Sequence, residues 1–132
     1  MKKGYVANIE ALSLENDLFR KVLYTSEHLQ LVVMAIPPEG EIGAETHDLD
    51  QFIRVEEGEG KAVLNGTEHA LQDGSAVLVP AGVEHNIINT SATDALRLYT
   101  LYGPPDHKDG IVHTTKEDAD ANDIPFDGVT TE

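Results

Sequence analysis

The chain contains no cysteine. That excludes a disulfide framework, a thiolate metal site and a cysteine nucleophile, so any bound metal must be held by nitrogen and oxygen ligands. Long apolar runs are also missing: none approaches the ~20 residues that span a bilayer as a helix. Met1-Lys2-Lys3-Gly4 carries two lysines with no apolar stretch behind them and does not read as a signal peptide, so a soluble cytoplasmic protein is the expectation. Basic residues are few, nine against 24 acidic ones, for a formal charge of −15. This balance excludes nucleic acid as a partner, because phosphate binding needs clustered lysine and arginine, and it disfavours an anionic membrane surface. Eight of the acidic residues, against two lysines, fall between Gly103 and Glu132 and read as a solvated surface. There is no serine elbow with a matching His and Asp, and no glycine-rich phosphate loop.

What is present is a run of short strands. The length of 132 residues suits a single domain spanning 1–132. A chain of that size buries roughly two thirds of its unfolded surface. Leu18 to Tyr24 and Leu29 to Ile36 read as a hairpin, stopped by Pro37-Pro38-Glu39-Gly40. Gln51 to Glu56, Lys61 to Leu64, Glu68 to Leu71, Ala76 to Val79, His85 to Ile88 and Leu96 to Tyr102 follow, with Asn65-Gly66 as a tight hairpin turn. Short helices are expected near Ile9 to Leu14 and over Thr115 to Ala121, the second capped by Thr114 or Thr115, and coil from Asn122 onward. Even spacing of this kind predicts an all-β sandwich or barrel, with a core over about 17–103 and an acidic extension over 104–132.

Two stretches carry chemistry. The first is Glu45-Thr46-His47-Asp48-Leu49-Asp50-Gln51; the second runs from Gly74 through Pro80, Gly82 and His85 to Asn89. Here the chain resembles the cupin superfamily. The second cupin motif is Gly, five residues, Pro, one residue, Gly, two residues, His, three residues, Asn, and Gly74, Pro80, Gly82, His85 and Asn89 match it at every position. The first motif places two histidines, a glutamate and a closing glycine at set spacings. His47 and Gly58 keep their places, whereas Glu45 stands at the first histidine, Gln51 at the glutamate, and Gly40 lies one residue from the opening glycine. The resemblance implies a cupin-type double-stranded β-helix, a jelly-roll barrel, with one divalent metal and frequent homodimers.

The spacing has its own logic. Alternate residues of a strand face the same way, so Glu45 and His47 can both point inward, with Gln51 beginning the next strand and His85 entering from across the fold. Glu45, His47 and His85 form a two-His, one-carboxylate set, which suits non-haem Fe(II), while Mn, Ni, Co or Zn fit the same ligands. Gln51 can ligate, hold a water, or bond to His47. Asp48 and Asp50 read as turn residues. Ile53 and Val55 share the inward face of Gln51, and Phe52 and Arg54 point outward; Tyr99 and Tyr102 are candidates for flanking the pocket. Of the other histidines, His28 and His69 are expected at the surface and His107 and His113 in the C-terminal segment. The expectation is a metal-dependent enzyme on a small, anionic organic molecule, of dioxygenase type, with Glu45 as the candidate base. Sugar or sugar-phosphate isomerisation and non-catalytic ligand binding are the alternatives.

Overall fold

The computed structural model describes residues 1–132. Helix α1 spans Ile9–Glu15 and the strands are β1 Arg20–Thr25, β2 Gln30–Ile36, β3 Asp50–Glu57, β4 Gly60–Leu64, β5 Thr67–Leu71, β6 Ala76–Val79, β7 His85–Asn89, β8 Leu96–Gly103 and β9 Val112–His113, followed by α2 Lys116–Ala121. The helices start where side chains satisfy free backbone donors: Asn8 accepts from the Ala11 amide and Thr115 from the Asp118 amide. Asn65 and Gly66, with φ of 46° and 83°, make the left-handed turn between β4 and β5.

The strands form two sheets: six strands in the order β6-β3-β8-β2-β1-β9 and three in the order β5-β4-β7. Strict alternation along β8 buries Leu96, Leu98, Thr100 and Tyr102. Ile53 and Val55 of β3, Val32, Met34 and Ile36 of β2, and Ala62 and Ile87 of the smaller sheet join one apolar cluster. The core is therefore the layer between the two sheets, with a period-2 pattern that points one face of each strand into it.

Neither sheet closes on itself, which corrects the expected jelly-roll β-barrel. The large sheet ends in β6 and β9 and the small one in β5 and β7. Residues 41–47 run beside β7 without a continuous ladder: Glu41 and Glu45 make isolated bridges to Ile88 and His85, and the Ile42 amide donates to the Ile87 carbonyl at 3.0 Å. Between them the ladder is broken at Gly43, whose amide turns to the Asn86 side chain instead of the neighbouring backbone. Prolines 37 and 38, which cannot donate to a ladder, precede this segment. Within the C-terminal extension, for which no strand was expected, Val112–His113 forms a strand paired with β1.

Asn89, the last residue of the second motif, is buried and donates to the carbonyls of Ile36 and Asp94 at 2.9 Å and of Pro37 at 3.1 Å. It accepts from the Ser91 amide. One side chain thus ties the end of β2 to the turn between β7 and β8.

Candidate metal centre

The two motifs meet through the backbone. Glu45 and His85 exchange both hydrogen bonds, N to O at 2.9 Å in each direction. Such a pair puts its two side chains on the same face of the sheet. The Pro80-Ala81-Gly82 turn is fixed to the first motif as well: the Gly82 amide donates to the His47 carbonyl at 2.8 Å and the Ala81 amide to the Asp50 carboxylate at 2.9 Å. Asp50 opens β3 instead of making a turn of its own, and its carboxylate holds the turn of the second motif.

Glu45, His47 and His85 come together, with one ligand atom from each lying within 4.8 Å of the others. The Nε2 of His47 is 3.3 Å from one Glu45 oxygen and that of His85 is 4.0 Å from the other. The two imidazole rings stand edge to face, 5.0 Å apart. His85 donates from Nδ1 to the Val83 carbonyl at 2.9 Å. That bond fixes the ring with Nε2 on the Glu45 side, the nitrogen free for metal ligation. This Nε2 is buried with no hydrogen-bond partner, as is Oε1 of Gln51. Buried acceptors are rarely left orphaned, so the donor set fits a divalent cation bound by nitrogen and oxygen.

The electrostatics agree. Burial by itself would raise the Glu45 carboxyl, but its hydrogen bond with His47 and the charges of His47, His85 and Arg20 outweigh burial and hold it below its usual range. The Glu45 hydrogen bond raises His47 above its ordinary value, against the opposing effect of burial. The cluster reaches water through Glu45, whose side chain is 37% exposed, and through neighbouring Asp106 at 26%.

Gln51 lies on the inner face of β3, opposite Tyr102 of β8. Its amide nitrogen donates to Thr100 Oγ1 at 2.9 Å, which orients the free Oε1. Phe52 and Tyr99 pair with each other, ring centroids 6.3 Å apart, and Arg54 pairs with Glu56. Tyr99 sits at the half-buried alternate positions of β8, on the opposite face from Tyr102, and so does not flank the cluster. His28 and His69 are exposed.

Three features escaped the reading of the sequence. Asp106, from the loop after β8, places Oδ2 3.7 Å from His47 Nε2 and 3.3 Å from His107 Nε2. No motif contains it; its one signal is the Pro104-Pro105 turn that folds the chain back. His107 is buried, 3.4 Å from the Tyr102 hydroxyl and 3.3 Å from Asp123 Oδ1. Burial pushes the Tyr102 hydroxyl above its usual range and, with the Arg20 charge, pulls His107 below its own. Tyr102 packs edge-on against His47 at 6.1 Å. His113, too, is buried, on β9, where it binds Arg20.

Comparison with known proteins places this geometry. The cupin domain model matches residues 32–102. A crystal structure of BH2720 from Bacillus halodurans superposes with a TM-score of 0.88 at 41% identity, covering 91% of this chain and 96% of that one. The sequence is 41% identical to YrkC of Bacillus subtilis (strain 168) over 89% of this chain, and 44% identical to L612 of Acanthamoeba polyphaga mimivirus over 82%; both are described only as uncharacterized. The chain spans 66% of the length of YrkC and 70% of L612. Family model, close relatives and the meeting of the two motifs agree: the chain belongs to the cupin superfamily.

Proposed function

We propose that this chain is a metal-dependent enzyme acting on a small organic molecule, of dioxygenase type, with Glu45, His47 and His85 as metal ligands and Gln51 beside them. The observation that carries this reading is the two-His, one-carboxylate cluster with a buried, unpartnered His85 Nε2. A bound ion from the group Fe, Mn, Ni, Co and Zn supplies Lewis acidity there and, as Fe(II), oxygen chemistry. The chain's own groups do the rest. Glu45 is the residue of the cluster most open to water, and on leaving the metal it would serve as the proton acceptor toward a substrate entering from that side. Burial raises the Tyr102 hydroxyl above its usual range, 3.4 Å from His107 Nε2. The apolar layer behind the cluster keeps water from its inner side.

The test begins with metal analysis of protein purified without chelator. Loss of the metal in His85→Ala, with the fold intact by circular dichroism, supports the ligand assignment. Oxygen uptake by the iron form against enediols and diketones supports dioxygenase chemistry. Turnover without oxygen consumption points to isomerisation, and saturable binding without turnover to a ligand-binding role. Pairing into a homodimer is supported by the open β6 edge, where Leu78 is 71% exposed beside Phe52, Leu101 and Leu29. Light scattering on the eluted protein checks it.

A further inference from the structure

Asp106 stands at the cluster without belonging to either motif. Its Oδ2 lies 3.7 Å from His47 Nε2, the nitrogen that also faces Glu45 at 3.3 Å. On its other side it lies 3.3 Å from Nε2 of the buried His107. Carboxylates elsewhere in the chain cap backbone: Asp50 accepts from the Ala81 amide, Asp73 from the Gly58 amide and Asp118 from the Thr114 amide. The Asp106 carboxylate has no such task, and the imidazoles of His47 and His107 are its polar contacts. Its backbone is clamped instead. Gln30, fully buried on β2, accepts from the Asp106 and His107 amides at 3.2 and 3.0 Å, and donates to the His107 carbonyl at 2.7 Å and to Thr25 Oγ1 at 2.9 Å. A primary amide has two donors and an oxygen with two acceptor sites, and here all are used. The Asp106 carbonyl accepts the Phe126 amide at 3.1 Å. A buried side chain that commits itself to one dipeptide fixes where the side chains of that dipeptide go.

The ligand atoms of Glu45, His47 and His85 lie within 4.8 Å of one another, and Asp106 is outside that set. It borders the ligands without being one of them. Its side chain is 26% exposed, and with Glu45 it is where the cluster meets water. A carboxylate so placed accepts hydrogen bonds from what enters the open side. Glu45 and Asp106 also bring two negative charges to one imidazole edge. A divalent ion offsets both, so the occupied cluster has no net charge to draw an anion. A small carboxylic acid would meet two carboxylates there, whereas a hydroxyl group offers Asp106 a donor.

We propose that Asp106 is a substrate-binding residue of the metal centre, accepting the hydrogen bond of a substrate hydroxyl at the open side of the cluster, with Gln30 holding its backbone in place. The substrates of this site are then neutral molecules with an O–H group, such as enediols and hydroxy ketones, and not carboxylic acids. Asp106 is the second negative charge that the sequence reading, with its anionic substrate, left out. The inference rests on the metal-binding reading above, and the experiment separates the two.

Zinc binding to the full chain is first measured by calorimetry. Acetohydroxamic acid, a small neutral chelator with an O–H group, and acetate, an anion of the same carbon skeleton, are then titrated into the zinc forms of the wild type and of Asp106→Asn. The variant keeps the shape of the side chain and loses its charge. Acetohydroxamic acid is expected to bind the variant at least about tenfold more weakly, as the loss of a charge-assisted hydrogen bond implies. Acetate is expected to bind it as tightly as the wild type or more tightly. A general loosening of the site would weaken both. Carbon-13 NMR of the side-chain carboxyl carbons follows the same titrations in the wild type. There the Asp106 signal is expected to shift with acetohydroxamic acid, only with zinc present, and not with acetate. A wild-type Asp106 signal unmoved at saturating acetohydroxamic acid overturns the inference even if the variant fails to fold. So does a variant in which both ligands weaken alike or neither changes. Lower zinc affinity with the ligand preference intact overturns it too, since Asp106 would then hold the ion instead of the substrate. Failure of the wild type to bind zinc overturns the metal reading itself.

Discussion

Replacing His85 by leucine separates what this residue does for the fold from what it does for the metal. His85 is 3% exposed, and its Nε2 has no partner within the chain. An orphaned buried acceptor costs about 1–3 kcal/mol, while the Nδ1 bond to Val83 returns about 0.5–1.5 kcal/mol. Leucine has similar bulk, removes both, and leaves the Val83 carbonyl half-exposed to water. The metal-free variant is therefore expected to be as stable as the wild type or about 1 kcal/mol more so, which is roughly 4 °C in melting temperature for a chain of this size. The metal acts in the other direction. Cation at about 100 times its dissociation constant adds about 2.7 kcal/mol, or roughly 11 °C, to the wild type. None of that gain is expected in the variant. The assay is thermal unfolding by circular dichroism with chelator and with added zinc or cobalt. A metal-free His85→Leu protein that melts more than about 5 °C below wild type would refute the reasoning that Nε2 is a cost in the empty site. Retention of the metal-dependent rise would refute its role as a ligand.

The pH dependence of the metal-free protein carries a second expectation. His47 lies above its usual 6.5 when folded, so its stabilisation is complete below that pH and is lost as pH rises through the folded value. Glu45 lies below its usual 4.5, so its share is present above that pH and is lost as pH falls through the folded value. The pair is then most stabilising between pH 4.5 and 6.5, by no more than about 1 kcal/mol given its partial exposure. Melting curves across pH should show the maximum flatten in Glu45→Gln, and the metal-loaded protein should instead lose stability steadily on acidification, as protons compete for His47. Gly60→Ala probes the fold without touching the site. A methyl group there would lie 2.4 Å from the Ile88 carbonyl oxygen and 3.0 Å from Leu96 Cδ2. Since backbone must move, a loss of about 1–3 kcal/mol is expected, read as a lower melting temperature with metal affinity retained, because Gly60 pairs with Asn89 at the far end of β7 from His85.

The sequence by itself determined the elements and the composition of the cluster. Ala76–Val79, the Asn65-Gly66 turn and the helix start at Thr115 follow from local rules, alternation and turn or cap chemistry, that act within a few residues. Placing Glu45 and His47 two residues apart, with His85 behind a Pro-Ala-Gly turn, was enough to name the residues that converge. Tertiary structure decided the rest. Closure failed because the bonds from residues 41–47 to β7 are interrupted at Gly43 and never make a continuous ladder, and a ladder depends on the partner strand as much as on the segment's own pattern. Asp106 reaches His47 from the loop after β8, and Arg20 is buried through β1 and its pairing with β9, where it meets His113. Neither has a local signature, since a charged residue is written the same way whether water or a buried site surrounds it. Only the packing of distant segments took Arg20 out of water without giving it a carboxylate, because burial depends on what folds over a side chain and not on the residues beside it in sequence.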